Sequence, residues 1–253
     1  RDIPFNGLPW FFDHAETITP KNIERVRALG GGIAIQHRMA FQGEYFVDRY
    51  GKQAAESTPP IKRMLAEGVP VGAGTDATRV ASYNPWTSLY WLVSGKTVGG
   101  TALYPEGLSR AVALQLFTQG SAWFSSEQGK KGQIKVGQLA DVAVLSQDYF
   151  SVSEEAIKYL ESVLTVVGGK VVYGADEFDK FGTPPLPVLP EWSPVAKVPG
   201  HWKPAAPLQA AVHQCIGSCS VHAHSHERAR QSKVPVSDYA GFWGAFGCSC
   251  FAF

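Results

Sequence analysis

Three short apolar runs in the first third of the chain each end on polar residues. They occupy residues 8–16, 32–39 and 69–77, and glycines flank the second and third. The third run is typical of a strand buried in a parallel sheet, and the first two are predicted to be strands as well. The polar residues at their carboxyl ends are Asp13, His14 and Glu16, then Gln36, His37 and Arg38, and last Asp76.

A helical pattern follows each of these runs. After the first run, Thr19 and Pro20 predict a capped helix start, and helices are also predicted over residues 60–67 and 108–117. Strand and helix units in succession predict a right-handed parallel βα arrangement, whose carboxyl edge is where such proteins carry their chemistry. The expected buried face of the first helix comprises Ile23, Val26 and Leu29, and that of the second comprises Ile61, Met64 and Leu65.

The two most informative polar residues each have a functional and a structural interpretation. Asp76 at a strand end has to be hydrated, paired or bound to a cation, because an isolated buried charge is very costly. It could equally be a helix cap or loop residue. His14 admits either a metal ligand or a core histidine with satisfied hydrogen bonds, and Glu16 could orient it. The residues alone leave these alternatives open.

The rest of the chain divides into two further parts. Residues 134–145 and 163–173 alternate or run apolar between glycines, which predicts β-strands, and Ser153 begins a short predicted helix. Proline is frequent from residue 182 to residue 207, which favours an extended arm. We therefore expect barrel-like βα units over residues 1–125, a small β-domain over residues 126–181, and an arm with a tail over residues 182–253.

The tail is unusually rich in metal-binding residue types. All four cysteines and five of the seven histidines lie in the last quarter of the chain. A structural zinc site, two disulfides, or free thiols beside a histidine-rich loop all fit this count. The His-x-His pattern within residues 222–226 follows no apolar strand, so we do not assign it to a catalytic centre. The cysteines are Cys215, Cys219, Cys248 and Cys250.

The overall composition is that of a soluble globular chain. The net charge is +1 and 45% of the residues are hydrophobic. A basic patch is lacking, so a nucleic-acid partner is not expected, and no apolar run has the length of a membrane span. We favour a cytoplasmic location and leave open a leader before residue 1, because Arg1 is not an initiating methionine.

Several motifs give these patterns a specific context. The stretch DHAE at residues 13–16 is followed by GTDA at 74–77, KGQIKVGQLADVAVL at 131–145 and VVGGKVVYG at 166–174. In this order, across residues 8–174, they resemble the C-terminal half of an amidohydrolase-superfamily enzyme, in the branch that includes N-substituted formamide deformylases. The resemblance implies an α/β fold: the C-terminal part of a TIM-like (β/α)8 metal-dependent hydrolase barrel, a small β-sandwich domain and an extended C-terminal arm.

The resemblance also implies roles for individual residues. His14 matches the histidine that binds a divalent metal, with zinc as the first candidate. Asp76 matches the aspartate that approaches the metal and carries the proton. His37, at the end of the second run, would contact the substrate carbonyl, and Arg79, just past Asp76, would meet a substrate anion.

The implied activity is hydrolysis of a carbon–nitrogen bond in a small-molecule amide or cyclic amide. Deamination of an amino-substituted ring is an alternative chemistry. Three βα units do not close a barrel, so we expect this chain to be inactive and oligomeric by itself, and to need a missing N-terminal half as partner. A non-catalytic fragment or degenerate homologue that binds such a partner is the alternative function.

Overall fold

The parallel sheet predicted from the three apolar runs is confirmed. In the computed structural model, which describes residues 7–77 and 81–183, β1 (Phe11–Asp13), β2 (Gly32–Gln36) and β3 (Val71–Gly74) pair side by side in that order. Both pairings are parallel, so all three strands end at one edge of the sheet. Each strand is shorter than the run that predicts it, because the polar residues beyond it belong to turns or to the next helix.

Helices connect these strands as expected. α1 (Pro20–Ala28) joins β1 to β2 and begins at the predicted cap, where Thr19 Oγ1 accepts the backbone N–H of Asn22 at 3.4 Å. The other elements of this part are α2 (Arg38–Tyr50), α3 (Lys52–Ala55), α4 (Ile61–Ala66), α5 (Pro85–Ser94), α6 (Arg110–Gln115), a π-helical turn (Leu116–Gly120) and α7 (Ser121–Phe124). The helices predicted over residues 60–67 and 108–117 are present as α4 and α6.

Two details of the sequence prediction are wrong in this region. The second strand was expected to run through residue 39, but it ends at Gln36 and α2 begins at Arg38. Leu29 was expected on the buried face of α1, but it is 55% exposed. The reason is that α1 ends at Ala28, so Leu29 is the cap residue beyond the buried face.

The core lies between the parallel sheet and its helices. Ile33 and Ile35 of β2 have no exposed surface, as a central strand covered on both faces requires. They pack with Ile23 of α1 and Met64 of α4, which are also fully buried. A fully buried apolar core therefore supports the sheet whose edge carries the polar residues.

The second part contains a smaller antiparallel sheet. It comprises β4 (Val142–Leu145), β5 (Ser162–Val167) and β6 (Lys170–Gly174), in that order. The predicted strand over residues 134–145 is correct only at its end, since Ile134 and Val136 are 95% and 101% exposed and lie before β4. Among the described residues these strands form a single sheet, so the β-sandwich remains a prediction.

Polar contacts join the two parts. The predicted helix after Ser153 is a 3-10 helix (Glu154–Tyr159), and Glu155 accepts a hydrogen bond from the hydroxyl of Tyr90 at 2.9 Å. The Arg110 guanidinium at the start of α6 donates to the carbonyls of Tyr149 and Val152. The small sheet is therefore anchored to the helices that cover the parallel sheet.

None of the helices within residues 7–77 and 81–183 is long and apolar enough to cross a membrane. The proline-rich arm beyond residue 183 and the tail with its cysteines and histidines lie outside the described residues.

Substituting Gly120 tests the packing of the π-helical turn on β3. An added Cβ there would lie 2.3 Å from the Val71 carbonyl oxygen, which is backbone and cannot move aside cheaply. We expect Gly120→Ala to lower the free energy of unfolding by about 1–3 kcal/mol, the usual cost of overpacking. Gly74→Ala is the control, because its Cβ would meet no atom within 4 Å. Equal losses in the two variants, measured by urea denaturation, would contradict this packing.

Candidate active site

The carboxyl ends of β1 and β2 are locked together by hydrogen bonds. The backbone N–H of His14 donates to the Ala34 carbonyl at 2.8 Å and also approaches Gln36 Oε1 at 3.1 Å. Gln36 Nε2 returns a bond to Asp13 Oδ1 at 3.3 Å. These bonds extend the parallel register one residue past β1 and fix the point at which His14 leaves the sheet.

The site residues sit on unusual backbone. The φ angles of His14, Ala15 and Asp76 are 70°, 54° and 52°, all in the left-handed region. This conformation costs a non-glycine residue about 1–2 kcal/mol of free energy, although aspartate and histidine tolerate it better than most. Strain of this kind concentrates at functional positions, where the surrounding fold holds it in place.

Four charged or ionisable side chains meet above the sheet edge. His14 Nε2 lies 3.9 Å from Asp76 Oδ2, and His14 Nδ1 lies 3.8 Å from Glu16 Oε1. Arg38 closes the ring, with Nη2 at 3.8 Å from Asp76 Oδ2 and Nε at 4.0 Å from Glu16 Oε1. All four distances exceed hydrogen-bond length, so the side chains face one another without being joined. We call these four residues the strand-end quartet.

The structure brings together His14 and Asp76, as the sequence predicts, and adds Arg38. His14 follows β1 and Asp76 follows β3, and β2 lies between these two strands. The family resemblance placed Arg38 at a strand end among groups that face the substrate, without a specific contact, and the sequence left Glu16 undecided. The usable signal was position alone: each quartet residue lies within three residues of the carboxyl end of a parallel strand.

His37 lies in the interior rather than on the open face of the site. Its side chain has no exposed surface, and its ring centroid is 5.3 Å from that of Phe41. Burial lowers the pKa of His37 from its ordinary value to about 4, and the nearby Gly74 carbonyl and Asp76 charge oppose this shift only partly. His37 is therefore a neutral imidazole at neutral pH, and its two ring nitrogens have no hydrogen-bond partner of normal geometry.

The described donors fit part of a metal site. Two ligands each about 2 Å from one ion can lie up to about 4 Å apart, which the His14–Asp76 separation of 3.9 Å allows. Across residues 7–77 and 81–183, however, no three or more His, Cys, Asp and Glu side chains group so as to hold a metal. The described chain thus offers two members of a ligand set that usually numbers three or four. Arg79, the predicted anion contact, lies outside the described residues.

An apolar cavity of about 440 Å³ lies elsewhere, at the start of α4. Residues before and within α4, including Pro59 and Ile61, form one wall, and residues 104–108 form the other. None of the quartet residues lines it, so it is not the space above the sheet edge.

Comparison with known proteins identifies the family to which the chain belongs. The model of the amidohydrolase family matches residues 1–173, which include the quartet and all but the last residue of the two sheets. The chain therefore belongs to the amidohydrolase family, and the resemblance stated from its motifs is confirmed.

Individual relatives are distant and longer. The chain is 28% identical over 175 residues to the amidohydrolase YtcJ of Bacillus subtilis, covering 67% of this chain and 33% of that protein. It is 27% identical over 164 residues to the N-substituted formamide deformylase of Arthrobacter pascens, covering 64% and 30%. An uncharacterised metal-dependent hydrolase from Pyrococcus horikoshii has a similar fold, with a TM-score of 0.51 and 24% identity over 59% of this chain and 31% of that one. The chain thus spans about a third of the length of the curated relatives it matches.

Buried His37 predicts a pH dependence of stability. Because its pKa is about 4 in the folded chain and about 6.5 when unfolded, the unfolded state binds the proton more readily. Its contribution is fully present above pH 6.5 and is lost as the pH falls towards 4, a change of about 3 kcal/mol. We expect His37→Asn to remove this part of the pH dependence in urea unfolding at pH 7, 5.5 and 4.5. A variant that follows the wild-type slope over this range would show that His37 is not held neutral.

Proposed function

We propose that this chain carries part of the active centre of a metal-dependent hydrolase that cleaves carbon–nitrogen bonds in non-peptide amides or cyclic amides. Family membership supports hydrolysis, and the similarity to an N-substituted formamide deformylase supports the class of bond. The observation that carries the proposal is the meeting of His14 Nε2 and Asp76 Oδ2, 3.9 Å apart, at the carboxyl edge of a parallel sheet.

His14 and Asp76 would hold a divalent cation, and zinc is the first candidate because imidazole nitrogen and carboxylate oxygen both suit it. When bound, such a cation lowers the pKa of water and polarises a carbonyl oxygen. Glu16, at 3.8 Å from His14 Nδ1, is placed to orient the ring from its other side. Further ligands would have to come from outside the described residues.

Asp76 is the proposed proton carrier. Its carboxylate takes a proton from the water that attacks the carbonyl carbon, and it returns that proton to the leaving nitrogen, acting first as general base and then as general acid. The side chain is 37% exposed, so both water and a small substrate can reach it. The left-handed backbone at Asp76 lies two residues past the carboxyl end of β3 and places the residue at the sheet edge.

His37 and Arg79 remain proposed substrate contacts. His37 follows β2 directly and offers a neutral imidazole, which can donate to a carbonyl oxygen. Its side chain has no exposed surface, so a substrate group would reach it only after the side chains packed around it move aside. Arg79 follows Asp76 by three residues and is proposed to meet a substrate anion.

A second candidate function, binding of a partner chain, has its own support. Among residues 7–77 and 81–183, no strand pairs with the outer edge of β1 or of β3. Phe11 and Phe12 on β1 are 41% and 52% exposed. Unpaired strand edges beside exposed aromatic rings readily accept another strand. We propose that an N-terminal barrel half covers these edges and that copies of the chain cover them in its absence.

Substituting Asp76 tests the proposed chemistry. Asp76→Asn keeps size and hydrogen bonding but cannot carry a proton, so turnover should fall by about 10²- to 10⁴-fold while bound metal is largely retained. His14→Ala should lose both metal and turnover. Amide hydrolysis and elemental analysis of bound metal are measured on an active preparation of the chain. Where the chain alone is inactive, it is co-expressed with the N-terminal barrel half of a relative.

The control is Asp141→Asn in the small β-domain. Asp141 Oδ1 accepts the backbone N–H of Gly168 at 2.6 Å, and an asparagine oxygen can accept it as well. Turnover of this variant should stay close to wild type. If Asp76→Asn kept more than about a tenth of wild-type turnover, Asp76 would not be the proton carrier.

The exposed strand edges predict self-association. Purified alone, the chain should run as oligomers or aggregates in sizing chromatography, and co-expression with an N-terminal barrel half should shift it to a defined complex. Phe12→Lys should reduce association of the chain alone, because a charge on an edge strand blocks pairing. A sharp monomer peak with cooperative melting for the wild-type chain would argue against partner binding through these edges.

A further inference from the structure

The apolar cavity at the start of α4 lies apart from the strand-end quartet. Its volume is about 440 Å³, which falls within the roughly 300–1,000 Å³ of typical small-molecule sites. Residues from the segment 56–63 line one wall, residues 104–108 line the other, and Leu92 of α5 also contributes. The quartet residues are not among them. The cavity therefore offers a place for a small molecule that is separate from the proposed active centre.

Three prolines make the walls of this cavity apolar and rigid. Pro59 and Pro60 lie on one wall and Pro105 lies on the other, and a proline ring fixes its own φ angle. The hydroxyl of Tyr104 donates to the Thr58 carbonyl at 2.7 Å, which joins the two walls and uses the hydroxyl proton within the protein. A ligand would therefore meet preformed walls, and little ordering of the protein would oppose its binding.

The charged residues that line the cavity balance one another. Two are acidic, Glu56 and Glu106, and two are basic, Lys62 and Arg63, so their formal charges sum to zero. Lys62 Nζ lies 3.2 Å from Glu106 Oε2 and so links the two walls. Arg63 Nη2 lies 2.7 Å from Glu67 Oε1. Because both cations already have a carboxylate partner, an anionic ligand finds no free positive charge on these walls.

We propose that this cavity binds a small, uncharged aromatic molecule, at a site additional to the proposed active centre. Apolar side chains such as Ile61 on one wall and Leu108 on the other suit a flat ring that packs between them. Removal of these surfaces from water drives binding, and a rigid ring loses little conformational freedom. An anion would lose hydration without gaining a free counter-charge. A cation would meet Glu56, but this residue is exposed, and charge pairs in water contribute little.

The ligand class is tested with three compounds that share an indole ring and a two-carbon side chain: uncharged tryptophol, cationic tryptamine and anionic indole-3-acetate. Titration calorimetry of the preparation used for Asp76 should give a dissociation constant of about 0.1–1 mM for tryptophol, as the ligand efficiency of small molecules allows. Indole-3-acetate should bind about tenfold more weakly or worse, and tryptamine should bind no more tightly than tryptophol. Neither bound metal nor turnover enters this measurement.

Two serine variants show whether binding occurs in the cavity. Ser57 lines the cavity and is exposed, so the larger side chain of Ser57→Trp has room to fill it. This variant should weaken tryptophol binding by about tenfold or more, because two indole rings compete for one space. Ser125→Trp is the matched control, since both serine hydroxyls donate to the carbonyl three residues earlier and Ser125 does not line the cavity. Ser125→Trp and Asp76→Asn should bind tryptophol as wild type does.

Thermal melting provides a second readout of the same site. Tryptophol at about ten times its dissociation constant should raise the Tm of wild type and of Ser125→Trp by about 3–6 °C, because it binds only the folded chain. The Tm of Ser57→Trp should not respond to the same concentration.

Three results would overturn the inference. One is that Ser57→Trp binds tryptophol as tightly as Ser125→Trp does, which would place the ligand outside the cavity. Another is that tryptamine or indole-3-acetate binds more tightly than tryptophol, which would show that charge selects the ligand. The third is that tryptophol binds the chain alone but not its complex with an N-terminal barrel half, which would assign the cavity to a contact with that half.

Discussion

The parallel pairing of β1, β2 and β3 is the constraint on which the site depends. Because β2 pairs in parallel with both neighbours, the chain leaves all three strands at one edge, and residues far apart in sequence meet there. The bonds from His14 N–H to Ala34 and Gln36 carry this register one step beyond the sheet. Left-handed turns at His14 and Asp76 then bring their side chains within 4 Å. A slip of one residue in this pairing would turn the side chains to opposite faces of the sheet.

The parts of this fold that follow from periodicity could be predicted, and the parts that follow from tertiary contact could not. Apolar runs and helix caps identified the three strands and α1, and the parallel arrangement brought His14 and Asp76 together. The start of α2 at Arg38 was missed because an apolar run ending on polar residues does not show where extended backbone gives way to a helix. Ile134 was wrongly assigned to a strand because it is apolar, although its side chain is almost fully exposed.

The candidate site likewise has features that the sequence predicts and features that it does not. The meeting of His14 and Asp76 could be predicted from strand ends and motifs, because parallel strands bring their carboxyl ends to one edge. The approach of Arg38 to Asp76 could not be predicted, because it depends on where α2 begins and on the left-handed turn at Asp76, and local pattern shows neither. The burial of His37 was equally hidden, since burial is a property of packing between β2, β3 and α2 rather than of local pattern. The distances between charged side chains at this edge, and the burial of His37, therefore depend on tertiary packing.

His14 and Asp76 are proposed to share one divalent cation. The most direct measurement is an anomalous difference map at the zinc absorption edge, from crystals of the chain grown with zinc, alone or with an N-terminal barrel half. We expect a peak about 2.0–2.2 Å from both His14 Nε2 and Asp76 Oδ2, the normal range for zinc ligands. Zinc bound only at other residues, with these two atoms free in the same crystals, would contradict the assignment of this sheet edge as the metal centre.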